Sequence, residues 1–194
     1  KKYPQSTSIL QSHQLDVNNT ESVDKLVSWI ENSVKKLDIL VNNAAVIYYG
    51  NPTHEQNKHV IETNYFSVVR LTEKLLPFLA EDGKILNISS IMGQLRIQGE
   101  TLRNLLSDSN LTQEKLDEIA GRVTDLVSDY EAYGPAKEPI YPASKALLNA
   151  YTRYFLVKKV KENQQVYAVH PGWVKTDMGG ADAPGTVEES ADNI

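Results

Sequence analysis

The sequence contains no cysteine, which excludes a disulfide framework, a thiolate metal site and a cysteine nucleophile. Its four histidines include no H-x-x-x-H pair, so we predict no zinc site or other metal centre. No apolar run approaches the length of a membrane span, and no signal peptide is recognisable. We therefore expect a cytoplasmic protein that does not contact a membrane.

An excess of positive charge is absent as well. The net charge is −5 and the pI is near 5.4, which argues against a protein that tracks the phosphates of a nucleic acid. Apolar residues make up 41% of the chain and charged residues 23%, values that are ordinary for a globular domain with a sizeable core.

Short apolar runs alternate with segments of helical periodicity. The short runs are flanked by polar residues and predict four strands, at residues 8–15, 37–41, 83–90 and 165–169. Apolar residues at helical spacing predict three long helices, at residues 20–34, 54–79 and 141–161. This alternation indicates an α/β fold, a doubly wound, Rossmann-like parallel sheet with helices on both faces.

A polar, helical segment at about residues 96–138 interrupts the alternation. Thr112 is placed to cap a helix there, as Thr20 is for the first helix of the chain. The apolar residues of this segment form one stripe: Leu116, Ile119, Val123, Leu126, Val127 and Tyr130. Because the segment is too short for a core of its own, we interpret it as an insertion within a single domain of residues 1–194.

The residues that follow the predicted strands are small and polar. In an open parallel sheet, ligands bind at the carboxyl ends of the strands. These ends are Asp16-Val17, Asn42-Asn43-Ala44-Ala45, Ser89-Ser90 and His170-Pro171-Gly172. Such residues suit a cofactor with a ribose and an adenine edge. Neither paired carboxylates for glycoside chemistry nor the G-x-S-x-G turn of hydrolases follows any of these strands.

A tyrosine precedes a lysine by four positions three times: Tyr133/Lys137, Tyr141/Lys145 and Tyr154/Lys158. The first pair encloses Gly and Pro, which predicts a loop, and the third lies well inside a predicted helix, where such a pair is usually a surface contact. Tyr141 stands at a helix entrance marked by Pro142, on the same face as Lys145. The ammonium and the helix N-terminus both favour phenolate, so we expect a lowered pKa for Tyr141 and a role in proton transfer. On spacing alone, an exposed helix start without chemistry remains the alternative.

Five motifs, in this order, resemble the short-chain dehydrogenase/reductase family: "LVNNAA" at 40–45, "ETNYFS" at 62–67, "NISS" at 87–90, "YPASK" at 141–145 and "HPGWVKTDM" at 170–178. Ala45 stands where the N-N-A-G signature of the family has Gly. The insertion before "YPASK" resembles that of the carbonyl reductase subgroup, in which it covers part of the substrate site and a surface that other members use to dimerise. The resemblance therefore implies a monomer.

The resemblance implies a catalytic tetrad of Asn64, Ser90, Tyr141 and Lys145. Tyr141 would donate a proton to the carbonyl oxygen of the substrate as hydride arrives from a nicotinamide, and Ser90 would hydrogen-bond that oxygen. Lys145 would bind the nicotinamide ribose and keep the pKa of Tyr141 low, while Asn64 would hold a water that links Lys145 to solvent. The implied activity is reduction of a small ketone, aldehyde or quinone to an alcohol. Asn64 acting only as a local hydrogen-bonding residue remains an alternative.

The resemblance also implies contacts with the cofactor, for which it favours NADP(H) over NAD. These contacts are Asp16, Val17, Asn43, Ala44, Tyr141, Lys145, Pro171, Gly172, Val174 and Thr176. The first two would contact the adenine, the next two the adenosine ribose, and the last two the carboxamide and phosphates. Asn43 could instead pair backbone groups of two strands, and both interpretations stay open.

The glycine-rich T-G-x-x-x-G-x-G turn of the family, whose N–H groups hold the cofactor pyrophosphate, does not occur in the sequence. The predicted strands correspond to the family from its third strand onward and stop before its last strand. Two interpretations follow: a piece of an ordinary carbonyl reductase, or a shortened, non-catalytic relative that acts as a binding protein. We favour the first because the catalytic set is intact. Alcohol oxidation by the same residues is a further alternative.

Overall fold

The computed structural model describes residues 10–131 and 138–194. Within these ranges, three strands form one parallel sheet in the order β1-β2-β3. They are β1 (Leu37–Asn42), β2 (Leu79–Ile88) and β3 (Gln165–Val169). The predicted α/β class with a parallel sheet is confirmed. The bounds of β3 are those predicted, whereas β2 begins earlier, at Leu79, and ends at Ile88.

The described helices lie before, between and after the strands. The α-helices are α1 (Thr20–Trp29), α2 (His54–Ile61), α3 (Ser67–Leu75), α4 (Glu100–Leu106), α5 (Gln113–Gly121), α6 (Val123–Leu126), α7 (Ile140–Ala150), α8 (Val157–Lys159) and α9 (Val187–Asp192). Wider π-helical turns follow α1, α2 and α7, at Ile30–Val34, Glu62–Phe66 and Tyr151–Leu156. Short 3₁₀ turns occupy Leu76–Phe78, Ile91–Gly93 and Leu95–Ile97. Each of the three predicted long helices is therefore present as a nearly continuous helical run.

The first helix begins one residue earlier than its predicted cap implied. Asn19 is the N-cap, because its extended backbone lets the side-chain oxygen accept a hydrogen bond from the Ser22 N–H at 2.9 Å. Thr20, the predicted cap, is already the first helical residue. The second predicted cap is confirmed, since the Thr112 hydroxyl accepts a hydrogen bond from the Lys115 N–H at 3.3 Å.

The strand predicted at residues 8–15 is wrong for the residues that the structure describes. Residues 10–15 form no strand, and most of them are exposed. In the described sheet, β1 is an edge strand that pairs only with β2. Residues 10–15 therefore pair with no strand there, and their backbone groups are left to hydrogen-bond with water. Leu15 and Val17 still pack against α1 and α3 in a small apolar cluster.

The two faces of the sheet differ in what covers them. Leu40 and Ile85 are register partners, and Ile85 with Val166 continues the same face, which packs into the main core beneath α3 and α7. On the opposite face Val41 and Tyr167 are 49% and 44% exposed. In the described residues, the helices therefore pack against one face of the sheet.

The described part of the insertion packs onto this core. Leu102, Leu106 and Leu116 are almost fully buried and join the cluster that contains Leu147 of α7. The Tyr65 hydroxyl, from the π-turn after α2, donates a 2.6 Å hydrogen bond to Asp117 of α5. The insertion is thus fixed to the helices that carry the predicted catalytic residues.

Candidate active site

The three strands bring their carboxyl ends to one edge of the sheet. Asn42, Asn87 and Ala168 are register partners across β1, β2 and β3. The chain leaves β2 at Ser89-Ser90 and leaves β3 at Pro171-Gly172. As expected for a parallel sheet, polar residues from distant parts of the sequence meet at this edge.

Tyr141 and Lys145 lie on one face of α7, which begins at Ile140 and has Pro142 in its first turn. The Lys145 ammonium is 5.7 Å from the centre of the Tyr141 ring. Lys145 is 3% exposed and donates a 2.8 Å hydrogen bond to the carbonyl oxygen of Ile88, the last residue of β2. The helix and the strand end are therefore joined directly through Lys145.

Among the described residues, the tyrosine–lysine pair Tyr154/Lys158 has no comparable setting. Tyr133 and Lys137 lie outside the described residues. Tyr154 is half-buried against the main core, while Lys158 is exposed on α8. Lys158 thus lies at the surface, as its position inside a helix predicted, whereas Tyr154 is partly buried.

The two serines after β2 point to different partners. The Ser90 hydroxyl forms a hydrogen bond with the Tyr141 side chain and accepts another from the Met92 N–H at 3.2 Å. The Ser89 hydroxyl donates instead to the amide oxygen of Asn149, at 2.6 Å. Ser90, and not Ser89, is therefore the serine that lies beside Tyr141.

The pKa of Tyr141 does not move in the expected direction. Burial raises it, the hydrogen bond with Ser90 lowers it by less, and the neighbouring Tyr49 raises it slightly. The expectation that Lys145 lowers this pKa is wrong here, because the loss of hydration outweighs the other effects. Burial also lowers the pKa of Lys145, to about 8. At neutral pH the site thus holds a protonated phenol beside an ammonium.

Asn64 is fully buried in the π-helical turn that follows α2. Its amide oxygen accepts from the Val46 N–H at 2.8 Å, and its amide nitrogen donates to the Val46 carbonyl at 2.9 Å and to the Ser144 hydroxyl at 3.1 Å. The Ser144 hydroxyl in turn donates to the Tyr141 carbonyl oxygen at 2.7 Å. Asn64 therefore connects the loop after β1 to the first turn of α7. A π-helical turn inside an α-helix is frequent at functional sites.

Three of the predicted adenosine contacts line one cavity of about 190 Å³ at the end of β1: Val17, Asn43 and Ala44. Its other lining residues are mostly apolar: Leu15, Val41, Asn42, Ser67, Val68 and Leu71. Asp16, the remaining predicted contact, accepts a 2.9 Å hydrogen bond from the Asn18 N–H and so caps its own turn. An apolar cavity edged by amides fits an adenosine moiety better than it fits a charged group.

The residues after β3 form a folded turn at the same edge of the sheet. Gly172 has φ +91°, a conformation that residues with a side chain rarely adopt. The Thr176 hydroxyl accepts from the Gly179 N–H at 3.0 Å, and the Pro171 carbonyl accepts from the Ser190 hydroxyl at 2.7 Å. Val174 pairs with a later residue through an isolated bridge. The structure records no hydrogen bond between these predicted cofactor contacts and Ser90, Tyr141 or Lys145 among the residues it describes.

Two residues that the sequence reasoning did not single out contact this region. Tyr49 donates a hydrogen bond to the Met178 carbonyl, which links the loop after β1 to the turn after β3. Asn149 follows Lys145 by one helical turn and bonds to the segment that carries Ser90. The four-residue spacing from Lys145 was a usable signal for Asn149, whereas nothing in the sequence indicated Tyr49.

A larger cavity, of about 490 Å³, lies between α2 and α5. Its described lining contains none of the predicted site residues.

No helix in residues 10–131 and 138–194 is both long and apolar enough to cross a membrane. In those same ranges, no three His, Asp or Glu side chains come together as a metal site requires.

Comparison with known proteins adds to this geometry. Residues 5–102 match the sequence profile of the short chain dehydrogenase family. (+)-Neomenthol dehydrogenase of Arabidopsis thaliana is 36% identical, over 92% of this chain and 69% of that protein. The chain belongs to the short-chain dehydrogenase family. Carbonyl reductase [NADPH] 1 of Mus musculus is 29% identical, over 93% of this chain and 69% of the relative.

A solved structure supports the same placement in the short-chain dehydrogenase family. Salutaridine reductase from Papaver somniferum superposes with a TM-score of 0.80 at 29% identity. The match covers 93% of this chain and 74% of that protein. This short-chain dehydrogenase chain therefore spans about 70% of the length of its relatives, and nearly all of it corresponds to them.

Proposed function

We propose that this protein is an NADPH-dependent oxidoreductase that reduces the carbonyl group of a small ketone, aldehyde or quinone to an alcohol, with Tyr141 as the proton donor. The observation that carries the proposal is the meeting of Ser90, Tyr141 and Lys145 at the carboxyl edge of the sheet. Ser90 forms a hydrogen bond with Tyr141, and the Lys145 ammonium lies 5.7 Å from the centre of the Tyr141 ring. Lys145 is joined to the strand end before Ser90 through the Ile88 carbonyl oxygen. The names of its relatives, a dehydrogenase of neomenthol and NADPH carbonyl reductases, support the same class of oxidoreductase.

Tyr141 supplies the proton in this proposal. Because burial raises its pKa, the phenol is protonated at neutral pH and its O–H can be donated to an oxygen that gains negative charge. Ser90 lies beside it and donates a second hydrogen bond to the same oxygen, which stabilises the developing charge. A protonated phenol favours reduction over oxidation as the direction of the reaction, since oxidation requires a base.

Lys145 has a different task. It uses one of its three N–H donors on Ile88, so two donors remain for hydroxyl groups of a ribose. Its positive charge also stabilises Tyr141 once the phenol has given up its proton. Asn64 positions the first turn of α7 through Ser144 and so fixes the direction of Tyr141.

The residues present fit a nicotinamide dinucleotide. The cavity beside Val17, Asn43 and Ala44 suits the adenosine, and the segment from Pro171 to Thr176 lies at the same edge of the sheet for the nicotinamide end. When bound, NADPH supplies the hydride. The protein residues contribute orientation, the exclusion of water and the proton.

We propose further that the protein is a monomer. The described part of the insertion packs on Tyr65 and Leu147, and most of its charged residues are exposed. Size-exclusion chromatography with light scattering tests this, and a dimer mass at micromolar concentration would contradict it.

Turnover is tested with the purified protein, NADPH or NADH, and a panel of ketones, aromatic aldehydes and quinones. We expect the absorbance of reduced nicotinamide to fall, faster with NADPH than with NADH. The absence of both turnover and NADPH binding by calorimetry would overturn the proposal. Binding without turnover would instead favour the alternative of a non-catalytic relative that acts as a binding protein.

A further inference from the structure

The side chain of Asn149, on α7, holds the segment that carries Ser90 at two points. The amide oxygen of Asn149 accepts a 2.6 Å hydrogen bond from the Ser89 hydroxyl. Its amide nitrogen donates a 2.9 Å hydrogen bond to the Gly93 carbonyl oxygen. One amide therefore holds the segment on both sides of Ser90, one residue before it and three residues after it.

Close packing between this segment and α7 makes both hydrogen bonds possible. A Cβ atom added to Gly93 would lie 2.7 Å from the amide nitrogen of Asn149 and 2.7 Å from the backbone C and O of Lys145. Distances below 3.0 Å do not occur for real Cβ atoms, so this position requires glycine at this separation. The segment therefore rests directly on the backbone of the helix that carries Lys145.

Asn149 also shares a rigid element with the other groups of the site. It follows Lys145 by four residues and Tyr141 by eight, so all three side chains project from the same side of α7. Ser90 lies between the two hydrogen-bonded residues and reaches Tyr141. Since Asn149 and Tyr141 belong to one helix, holding the segment to Asn149 also fixes Ser90 relative to the phenol.

We infer that Asn149 is a positioning residue that sets the placement of the Ser90 hydroxyl beside Tyr141. This inference rests on the proposed function, because it assigns Asn149 to the same reaction. Asn149 has no contact with the reacting oxygen in this arrangement and acts through Ser90. Loss of its amide leaves Ser89 and Gly93 without these partners and lets the segment shift, and a shift of about 1 Å in a catalytic group can lower a rate by roughly 100-fold.

A double-mutant cycle tests the inference with four proteins: wild type, Ser90→Ala, Asn149→Ala and the double variant. We expect Asn149→Ala to lower kcat by about tenfold while the KM for NADPH changes by less than about twofold. In the Ser90→Ala background, we expect the same substitution to have almost no further effect, because its target is already gone. Equal losses of kcat in both backgrounds, or no loss in either, would overturn the inference.

A second readout does not depend on turnover. The titration of Tyr141 is followed by NMR of ring-labelled tyrosine, with Tyr141→Phe to assign the resonance. Since the hydrogen bond with Ser90 lowers the pKa of Tyr141, we expect that pKa to rise in Ser90→Ala and also in Asn149→Ala. A rise in Ser90→Ala without a rise in Asn149→Ala would contradict the role of Asn149 even if the proposed activity is not found. An inactive wild type whose Tyr141 titration responds to Asn149→Ala would count against the proposed function alone.

Controls separate positioning from a general loss of stability. Asn32→Ala removes an amide that bonds only the Ser28 carbonyl on the first helical run, so we expect both readouts to stay at their wild-type values. Ser89→Ala removes one of the two hydrogen bonds of Asn149 and replaces Asn149→Ala if that variant does not fold. We expect Ser89→Ala to give a smaller loss of kcat in the same direction, and a wild-type kcat together with an unchanged Tyr141 titration would contradict the inference.

Discussion

The ammonium group of Lys145 lies 5.7 Å from the centre of the Tyr141 ring and reaches past it to the Ile88 carbonyl oxygen. The lysine side chain is thus held to the end of β2 by the protein itself. Its ammonium group is buried, and among the described residues no carboxylate forms a salt bridge with it. An arrangement that buries a charge in this way destabilises the fold, which is typical of a group retained for function.

Tyr141→Phe is expected to remove the proposed acid while preserving the ring and its packing. We expect kcat for carbonyl reduction to fall by about 100-fold or more, because general acid catalysis contributes roughly 10²–10⁴-fold. Steady-state kinetics with NADPH and the best carbonyl substrate of the panel measure the effect. Tyr154→Phe is the matched control, since Tyr154 belongs to the second described tyrosine–lysine pair and packs against the core. Retention of wild-type kcat by Tyr141→Phe would point to a non-catalytic protein.

Lys145→Met is expected to stabilise the fold at neutral pH while abolishing activity. Burial lowers the pKa of Lys145 from 10.5 to about 8, which corresponds to about 3 kcal/mol of destabilisation below pH 8, at about 1.4 kcal/mol per pKa unit. Between pH 8 and 10.5 the unfolded state binds more protons than the folded state at this site, so the wild-type free energy of unfolding rises there relative to that of the variant.

Urea unfolding at a series of pH values measures this difference. We expect the advantage of Lys145→Met to be largest near pH 7 and to shrink as the pH rises towards 10.5. Lys158→Met, at an exposed position on α8, is expected to follow the wild-type curve. A variant less stable than the wild type at every pH would show that the hydrogen bond to Ile88 outweighs the burial of the charge.

Much of this site could be predicted from local patterns. The spacing of Tyr141, Pro142 and Lys145 along one helix face is a property of a few adjacent residues, and the structure reproduces it. The end of β2 likewise separates Ser89 from Ser90, because neighbouring side chains of an extended chain point to opposite sides. Such predictions succeed where the geometry of one element decides the outcome.

The predictions that failed depended on distant parts of the chain. Residues 10–15 have strand-like composition but no neighbouring strand in the described sheet, so the pairing that a strand requires is absent there. The pKa of Tyr141 was predicted from Lys145 and the helix end, yet burial decides its direction, and burial comes from packing around the whole helix. Asn149 follows Lys145 by four residues, which is a local signal, but its hydrogen-bond partners lie 56 and 60 positions away and no local pattern identifies them.

Asn87→Ala is expected to destabilise the fold through the buried polar chain beneath the site. Asn87 is fully buried, accepts a 2.8 Å hydrogen bond from the Asn42 amide and donates one of 2.9 Å to the Thr152 hydroxyl. Its loss leaves buried polar groups without partners, so we expect the free energy of unfolding to fall by about 3 kcal/mol. Urea denaturation measures this loss, with the exposed Asn32→Ala as control and an expected change below about 0.5 kcal/mol. A change in Asn87→Ala no larger than in the control would show that water replaces the amide.

Gly93→Ala and Gly121→Ala form a matched pair of substitutions with opposite expected effects. The added methyl group at Gly93 would meet the Lys145 backbone and the Asn149 amide at 2.7 Å, so the Ser90 segment must move away from α7. We expect a loss of about 1–3 kcal/mol in the free energy of unfolding, the usual effect of overpacking, together with a lower kcat.

At Gly121, at the end of α5, nothing lies within 4 Å of an added Cβ and the backbone is not left-handed. Alanine there is expected to be neutral or to stabilise by up to about 1 kcal/mol, because it favours the helix. Thermal unfolding and steady-state kinetics of both variants measure these effects, and a Gly93→Ala protein as stable and active as Gly121→Ala would show that the segment is not held against α7 in solution.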